Sequence, residues 1–187
     1  MWESSGSMLK KSPHEDVRDV INGLYKPIKS LWDGKILRLK PKNVYLFASS
    51  FGGPAAILNS SNPRVTKIVA LSPVIDWRKI SRTEPIEKLG KYLREGFGPA
   101  YRFKNKNLLK LKKGKFYNLA AQTKQIDGKK IFIIHAKDDK TVPYGPSVQF
   151  SKTTGSKLLL VKRGDHFSLS DLIHQRFGKK IQAFLKK

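Results

Sequence analysis

Val44-Tyr45-Leu46-Phe47-Ala48-Ser49-Ser50-Phe51-Gly52-Gly53-Pro54-Ala55-Ala56-Ile57-Leu58 reads as a buried strand, a corner held by one serine, and the opening of a helix. An apolar run bounded by small residues suits a parallel strand covered on both faces, and the Gly-Gly-Pro-Ala-Ala stretch suits a tight turn into a first helical turn. Ser50 then stands at the strand-to-helix corner. Such a corner imposes strained backbone angles on the serine and crowds the residues two before and two after it, so small side chains are expected there. They are Ala48 and Gly52. Small-Ser-x-Gly also arises by chance as a serine-rich turn after a core strand, so other segments must decide between the two readings.

Two later strand patterns end in groups of suitable chemistry. Ile131-Phe132-Ile133-Ile134-His135-Ala136 runs into Lys137-Asp138-Asp139-Lys140-Thr141-Val142-Pro143, an acidic turn that restarts at a proline. Lys157-Leu158-Leu159-Leu160-Val161 runs into Arg163-Gly164-Asp165-His166-Phe167. Ligand and catalytic groups of open α/β sheets gather at the C-terminal ends of the strands. A serine hydroxyl is a weak nucleophile until an imidazole takes its proton, and that imidazole needs a carboxylate to fix its tautomer and stabilise its cation. Ser50, His166 and Asp139 are the candidates for these roles. Asp165, beside His166, and Asp76, just past the strand Lys67-Ile68-Val69-Ala70-Leu71, are the competing acids and rank below Asp139.

Taken together these stretches resemble an α/β-hydrolase of the dienelactone hydrolase or prolyl oligopeptidase-like branch, whose chain order is also Ser, Asp, His. Four segments carry the resemblance: Trp2-Glu3-Ser4-Ser5-Gly6 leading to Glu15-Asp16-Val17, the corner Ala48 to Gly53, the acid turn His135 to Pro143, and Gly164-Asp165-His166-Phe167. Aligning the acid turn on Val142-Pro143 selects Asp139 over Asp138. Ala136 stands where the family carries glycine. The resemblance implies a three-layer α/β/α sandwich with a mostly parallel sheet, cleavage of an ester, or less favoured a peptide or amide, through an acyl-enzyme on Ser50, and no cofactor. His135 is structural in that comparison.

The chain departs from the family at its front, where several strands and a His-Gly loop are expected and not encoded. The backbone N–H of Phe51 supplies one oxyanion donor, while the loop that would give the second is missing, which in such sites costs about a hundredfold to a thousandfold in rate. Strand 44–48 is then expected at an exposed sheet edge, to be covered by the N-terminal segment, a second copy of the chain or a separately encoded partner. A gene fragment or a start assigned too far downstream is the alternative. The competing functional reading is a weak or inactive hydrolase-like subunit acting as a binding module.

At 187 residues, 39% hydrophobic and 10% aromatic, one compact domain can bury its core without staples. The absence of cysteine excludes a disulfide framework and a Cys-based zinc site, and the four histidines show no metal-ligand spacing. No apolar run is long enough for a membrane span and no signal peptide is recognised, which makes a cytoplasmic location the default. Ser12-Pro13-His14-Glu15 offers a capping serine, an early proline and a glutamate, so a helix is expected from Pro13, with His14 and His174 on solvent-facing helix positions. Leu169, Leu172, Ile173, Phe177, Ile181 and Phe184 predict an amphipathic closing helix.

Residues 77–129 are expected to form a basic, partly helical cap, with a helix over Glu84 to Gly96 broken at Phe97-Gly98-Pro99. Trp77, Tyr92, Phe97, Tyr101, Phe103, Phe116 and Tyr117 could line a pocket above Ser50 or pack the insertion onto the sheet. The net charge is +24 and the isoelectric point near 10.3. From Tyr101 to Lys130 only Asp127 opposes a run of lysines and Arg102. Basic residues interleaved with aromatics can bind polyanions or draw anionic substrates and membrane surfaces. The excess is spread along the whole chain, however, which favours a generally lysine-rich protein.

Overall fold

The computed structural model describes residues 9–80, 86–98, 102–173 and 175–186; Trp2 to Gly6, Glu84, Pro99, Tyr101 and His174 lie outside the described residues. Four strands, β3 (Tyr45–Ser49), β4 (Lys67–Leu71), β5 (Ile131–Ala136) and β6 (Lys157–Val161), form a parallel sheet in that order, preceded by a two-stranded antiparallel hairpin of β1 (Pro27–Lys29) and β2 (Ile36–Arg38). Register is uniform: Ala48 lies beside Ala70, Ala70 beside Ile133, and Ile133 beside Leu158. Parallel strands need long crossovers, and helices supply them. They are α1 (Pro13–Gly23), α2 (Gly52–Ile57), α3 (Ile86–Phe97), α4 (Asn105–Leu108), α5 (Gly145–Thr154) and α6 (Gln175–Leu185).

Alternation along the strands sorts the core into two layers. Ala48, Ile68, Ala70 and Ile133 pack with Ile21 of α1, Ala56 and Ile57 of α2 and Phe150 of α5. Val69, Leu71, Phe132 and Ile134 face Phe177, Ile181 and Phe184 of α6. The central strands β4 and β5 are buried almost throughout. Among the described residues β3 is an edge strand, as the resemblance implies for a sheet without the family's front strands, and its Tyr45 and Phe47 remain 38% and 43% exposed. By register Phe47 shares the α6 face with Val69 and Phe132. Helix α6 thus covers the middle of that face, while the turn at Leu169–Ile173 approaches its β3 margin and leaves it only partly covered.

Three local expectations need correction. Ser12 is the N-cap residue of α1, yet its side chain makes no capping bond: its Oγ lies 2.8 Å from His14 Nδ1. His14 is accordingly half-buried rather than solvent-facing. The closing element starts as a 3-10 turn over Leu169–Ile173, where Asp171 Oδ2 accepts the Ser168 N–H, before α6 begins. The hairpin escaped the pattern reading because each strand has three residues, too few for a period-two signal, although Asp33-Gly34 is a turn dipeptide.

Candidate functional site

Ser50, Asp139 and His166 follow the C-terminal ends of β3, β5 and β6, so the sheet itself collects them on one edge. Ser50 sits at φ 47, in the left-handed region disfavoured for a residue with a Cβ. Its backbone is fixed on both sides. The Ser50 N–H donates to Leu71 O, and Ser50 O accepts the N–H groups of Gly53 and Val74. The crowded neighbour differs from the one expected from the motif. A Cβ on Gly52 would meet nothing within 4 Å, whereas one on Gly53 would lie 2.4 Å from Pro73 Cβ and 2.9 Å from its Cα. The tight approach is therefore between α2 and the loop after β4, which makes Gly53 the position that tolerates no side chain.

The acid and the imidazole are bonded to each other. His166 Nδ1 lies 2.9 Å from Asp139 Oδ2, with the carboxylate fully enclosed and the imidazole about a quarter exposed. Asp139 Oδ1 accepts the Thr141 and Val142 N–H groups at 3.0 and 2.8 Å, and His135 Nε2 stands 3.2 Å from Oδ2. Burial opposes ionisation of Asp139, but the bonds from His135, His166 and the Val142 N–H outweigh it and hold the carboxyl well below the usual range. With a carboxylate facing Nδ1, the neutral His166 ring carries its proton on that nitrogen and leaves Nε2 as an acceptor.

His135 is fully buried, between Ser147 Oγ and Val142 O, each 2.9 Å away. A carbonyl beside Nε2 requires that nitrogen to be protonated, and in the neutral ring Nδ1 is then the acceptor for Ser147. His135 therefore braces the acid turn from below. Asp138, which ranked behind Asp139, holds the other side: its Oδ1 accepts the Gly164 and Asp165 N–H groups, both at 3.0 Å, and ties the acid turn to the histidine loop. Ser72 Oγ accepts the Phe167 N–H at 3.2 Å and completes that clamp. Nothing in the sequence pairs residue 138 with 164–165, because the contact exists only once β5 and β6 lie side by side. Asp76 is occupied elsewhere, by Arg78 and Asn118, and Asp165 is exposed.

Among the described residues Ser50 Oγ and His166 make no direct hydrogen bond; such contacts are commonly long before substrate binds. The aromatics of the insertion divide. Trp77 and Tyr117 are buried and pack on Phe51 with ring centroids 5.5 and 5.2 Å away, and the Tyr117 hydroxyl donates to Phe51 O. Phe103 and Phe116 pack against the same cluster, while Tyr92 and Phe97 are exposed. The insertion is thus fastened to the serine corner. A cavity of about 170 Å³ lies between α5 and residues 75–79 and 120–123, and neither Ser50, Asp139 nor His166 lines it. The described residues contain no group of three or more His, Cys, Asp or Glu arranged to hold a metal.

No protein-family model matches the sequence, and no curated protein matches it. Solved structures do. An esterase of Pyrococcus furiosus is similar at a TM-score of 0.62 and 16% identity, over 98% of this chain and 64% of that one. The α/β hydrolase GrgF of a Penicillium species gives 0.59 and 14%, over 92% and 70%, and a monoacylglycerol lipase of Paleococcus ferrophilus 0.57 and 16%, over 94% and 74%. The chain thus spans about two thirds to three quarters of the length of these three structures. Its described residues have the α/β-hydrolase fold.

Proposed function

We propose that this chain is a serine hydrolase that cleaves a carboxylic ester through an acyl-enzyme on Ser50, with the substrate a small ester or, less favoured, a short peptide or amide. The observation that carries the reading is the 2.9 Å bond from His166 Nδ1 to a buried, ionised Asp139, on the sheet edge where Ser50 occupies a strained corner. His166 Nε2 takes the Ser50 proton as Oγ attacks the ester carbonyl; the Phe51 N–H stabilises the resulting oxyanion; His166 then protonates the leaving alcohol. Water repeats the sequence on the acyl-enzyme and regenerates Ser50. Asp139 remains a carboxylate throughout and holds the imidazolium.

The test is labelling of the purified chain by a fluorophosphonate, read by intact mass with site mapping, beside Ser50→Ala and His166→Ala. Modification at Ser50 that both substitutions abolish is expected. A folded protein that stays unlabelled would overturn the reading. A hydrolase-like subunit completed by a second chain is then the better account, favoured by the open β3 edge with its exposed Tyr45 and Phe47.

A further inference from the structure

Residues 31–40 are exposed without exception, although the stretch is rich in apolar side chains. Leu31 and Trp32 crown the β1–β2 turn at 92% and 97% exposure, and Ile28, Ile36, Leu37 and Leu39 below them are exposed as well. The turn is locked rather than loose. Ser30 Oγ accepts the Trp32 and Asp33 N–H groups, Asp33 Oδ1 accepts the Lys35 N–H, and Gly34 takes φ +71 with its N–H on Ser30 O. These hydrogen bonds hold two large apolar side chains outward in water beside four more, and a cluster of exposed apolar side chains rimmed by charge marks an interaction surface. Around them stand Lys26, Lys29, Lys35, Arg38, Lys40 and Lys42, all exposed, against the single acid Asp33.

We propose that this hairpin docks the protein on an anionic lipid bilayer, with Leu31 and Trp32 entering the interfacial layer and the surrounding cations meeting phosphate headgroups. An indole at a protruding tip suits the headgroup boundary, and long basic side chains can lay their stems along apolar surface while their charges reach the phosphates. A two-stranded ribbon has unpaired backbone groups on both edges, so entry is shallow and confined to the apex. Nucleic acid would satisfy the cations but offer nothing to the isoleucines and leucines. A second copy would bring the same basic face against itself. No helix among the described residues is long and apolar enough to cross a membrane, so attachment would be peripheral.

Co-sedimentation of the full chain with vesicles tests this, using phosphatidylcholine alone and about seven parts phosphatidylcholine to three of phosphatidylglycerol. Binding to the anionic vesicles is expected to weaken at least about tenfold in Leu31→Ser/Trp32→Ser, and likewise on raising salt from about 0.1 to about 0.5 M. Quenching of tryptophan emission by brominated lipid should fall sharply in Trp32→Phe, which keeps an apolar apex and still binds. Equal binding by wild type and the double variant would overturn the proposal, since net charge alone would then explain it. So would absence of binding, quenching unchanged in Trp32→Phe, or a wild-type dimer that the double variant splits.

Discussion

The two ends of β3 obey opposite rules. On the sheet edge at its C-terminal end, both of the site's supporting carboxylates are engaged: buried Asp139 by two backbone N–H groups and two imidazoles, and exposed Asp138 by two N–H groups of the histidine loop. Along its flank and in the hairpin before it, large apolar side chains stay a third or more exposed to water. A buried polar group without partners is expensive, so the first region is over-determined by bonding. Exposed apolar surface costs a little per side chain and can persist where a partner is to come. Rigidity has been placed where protons would move, and unsatisfied surface has been kept away from it.

Asp139→Asn is expected to have the largest effect. An amide offers N–H donors where His135, His166 and two backbone N–H groups all point donors inward, so the His166 tautomer is lost and the pocket is left with mismatched hydrogens. On the proposed chemistry turnover should fall about 10⁴-fold, read as kcat/KM on a chromogenic ester beside a circular dichroism spectrum. Activity within about tenfold of wild type would mean that another carboxylate orients His166.

Next is a pair of truncations on one face of the sheet. Leu71→Ala removes a fully buried side chain facing α6 and should cost about 2–5 kcal/mol in denaturant unfolding. Phe47→Ala, two strand residues away in register and 43% exposed, should cost less than about 1 kcal/mol. Equal losses would show that the β3 margin is covered in solution, and concentration-dependent stability would identify the cover as a second copy.

Adjacent glycines give a finer contrast. Gly53→Ala drives a methyl into Pro73, partly against backbone, and should destabilise by about 1–3 kcal/mol while pulling the serine corner out of place. Gly52→Ala enters open space within the first turn of α2 and should be neutral or stabilising by up to about 1 kcal/mol. The motif alone ranks these two residues the other way round.

That reversal marks how far the sequence could be read. Strands 45–49, 67–71, 131–136 and 157–161 were legible because continuous apolar runs ending in Ser, Asp and Gly-Asp-His admit few other structures. The partnership of Asp139 with His166 was legible because each residue has one chemical task and both follow strands. Asp138 on the histidine loop, Gly53 against Pro73 and Tyr117 on Phe51 were not, since each joins segments far apart in the chain through geometry that exists only after the layers pack. The insertion aromatics stayed open between pocket and packing for the same reason, and the fold resolves Trp77 and Tyr117 to packing.

The smallest expected effect belongs to His14, whose imidazole shares a bond with Ser12 at the start of α1. Burial pushes its pKa below the ordinary 6.5; the Glu15 charge pulls the other way and Arg18 adds to the lowering. The unfolded chain therefore takes up this proton at a higher pH than the folded one does. Its contribution to stability is intact above about pH 6.5 and is lost as pH falls from there through the folded pKa. The whole molecule also loses stability in acid through repulsion among its many cations, so the absolute curve is uninformative. The difference between wild type and His14→Gln isolates the residue: unfolding free energies at pH 7.5 and 5.5 should converge for the variant relative to the wild type. Parallel curves would mean that His14 is protonated as readily in the fold as out of it, and that the α1 entrance is as open to water as the hairpin that follows it.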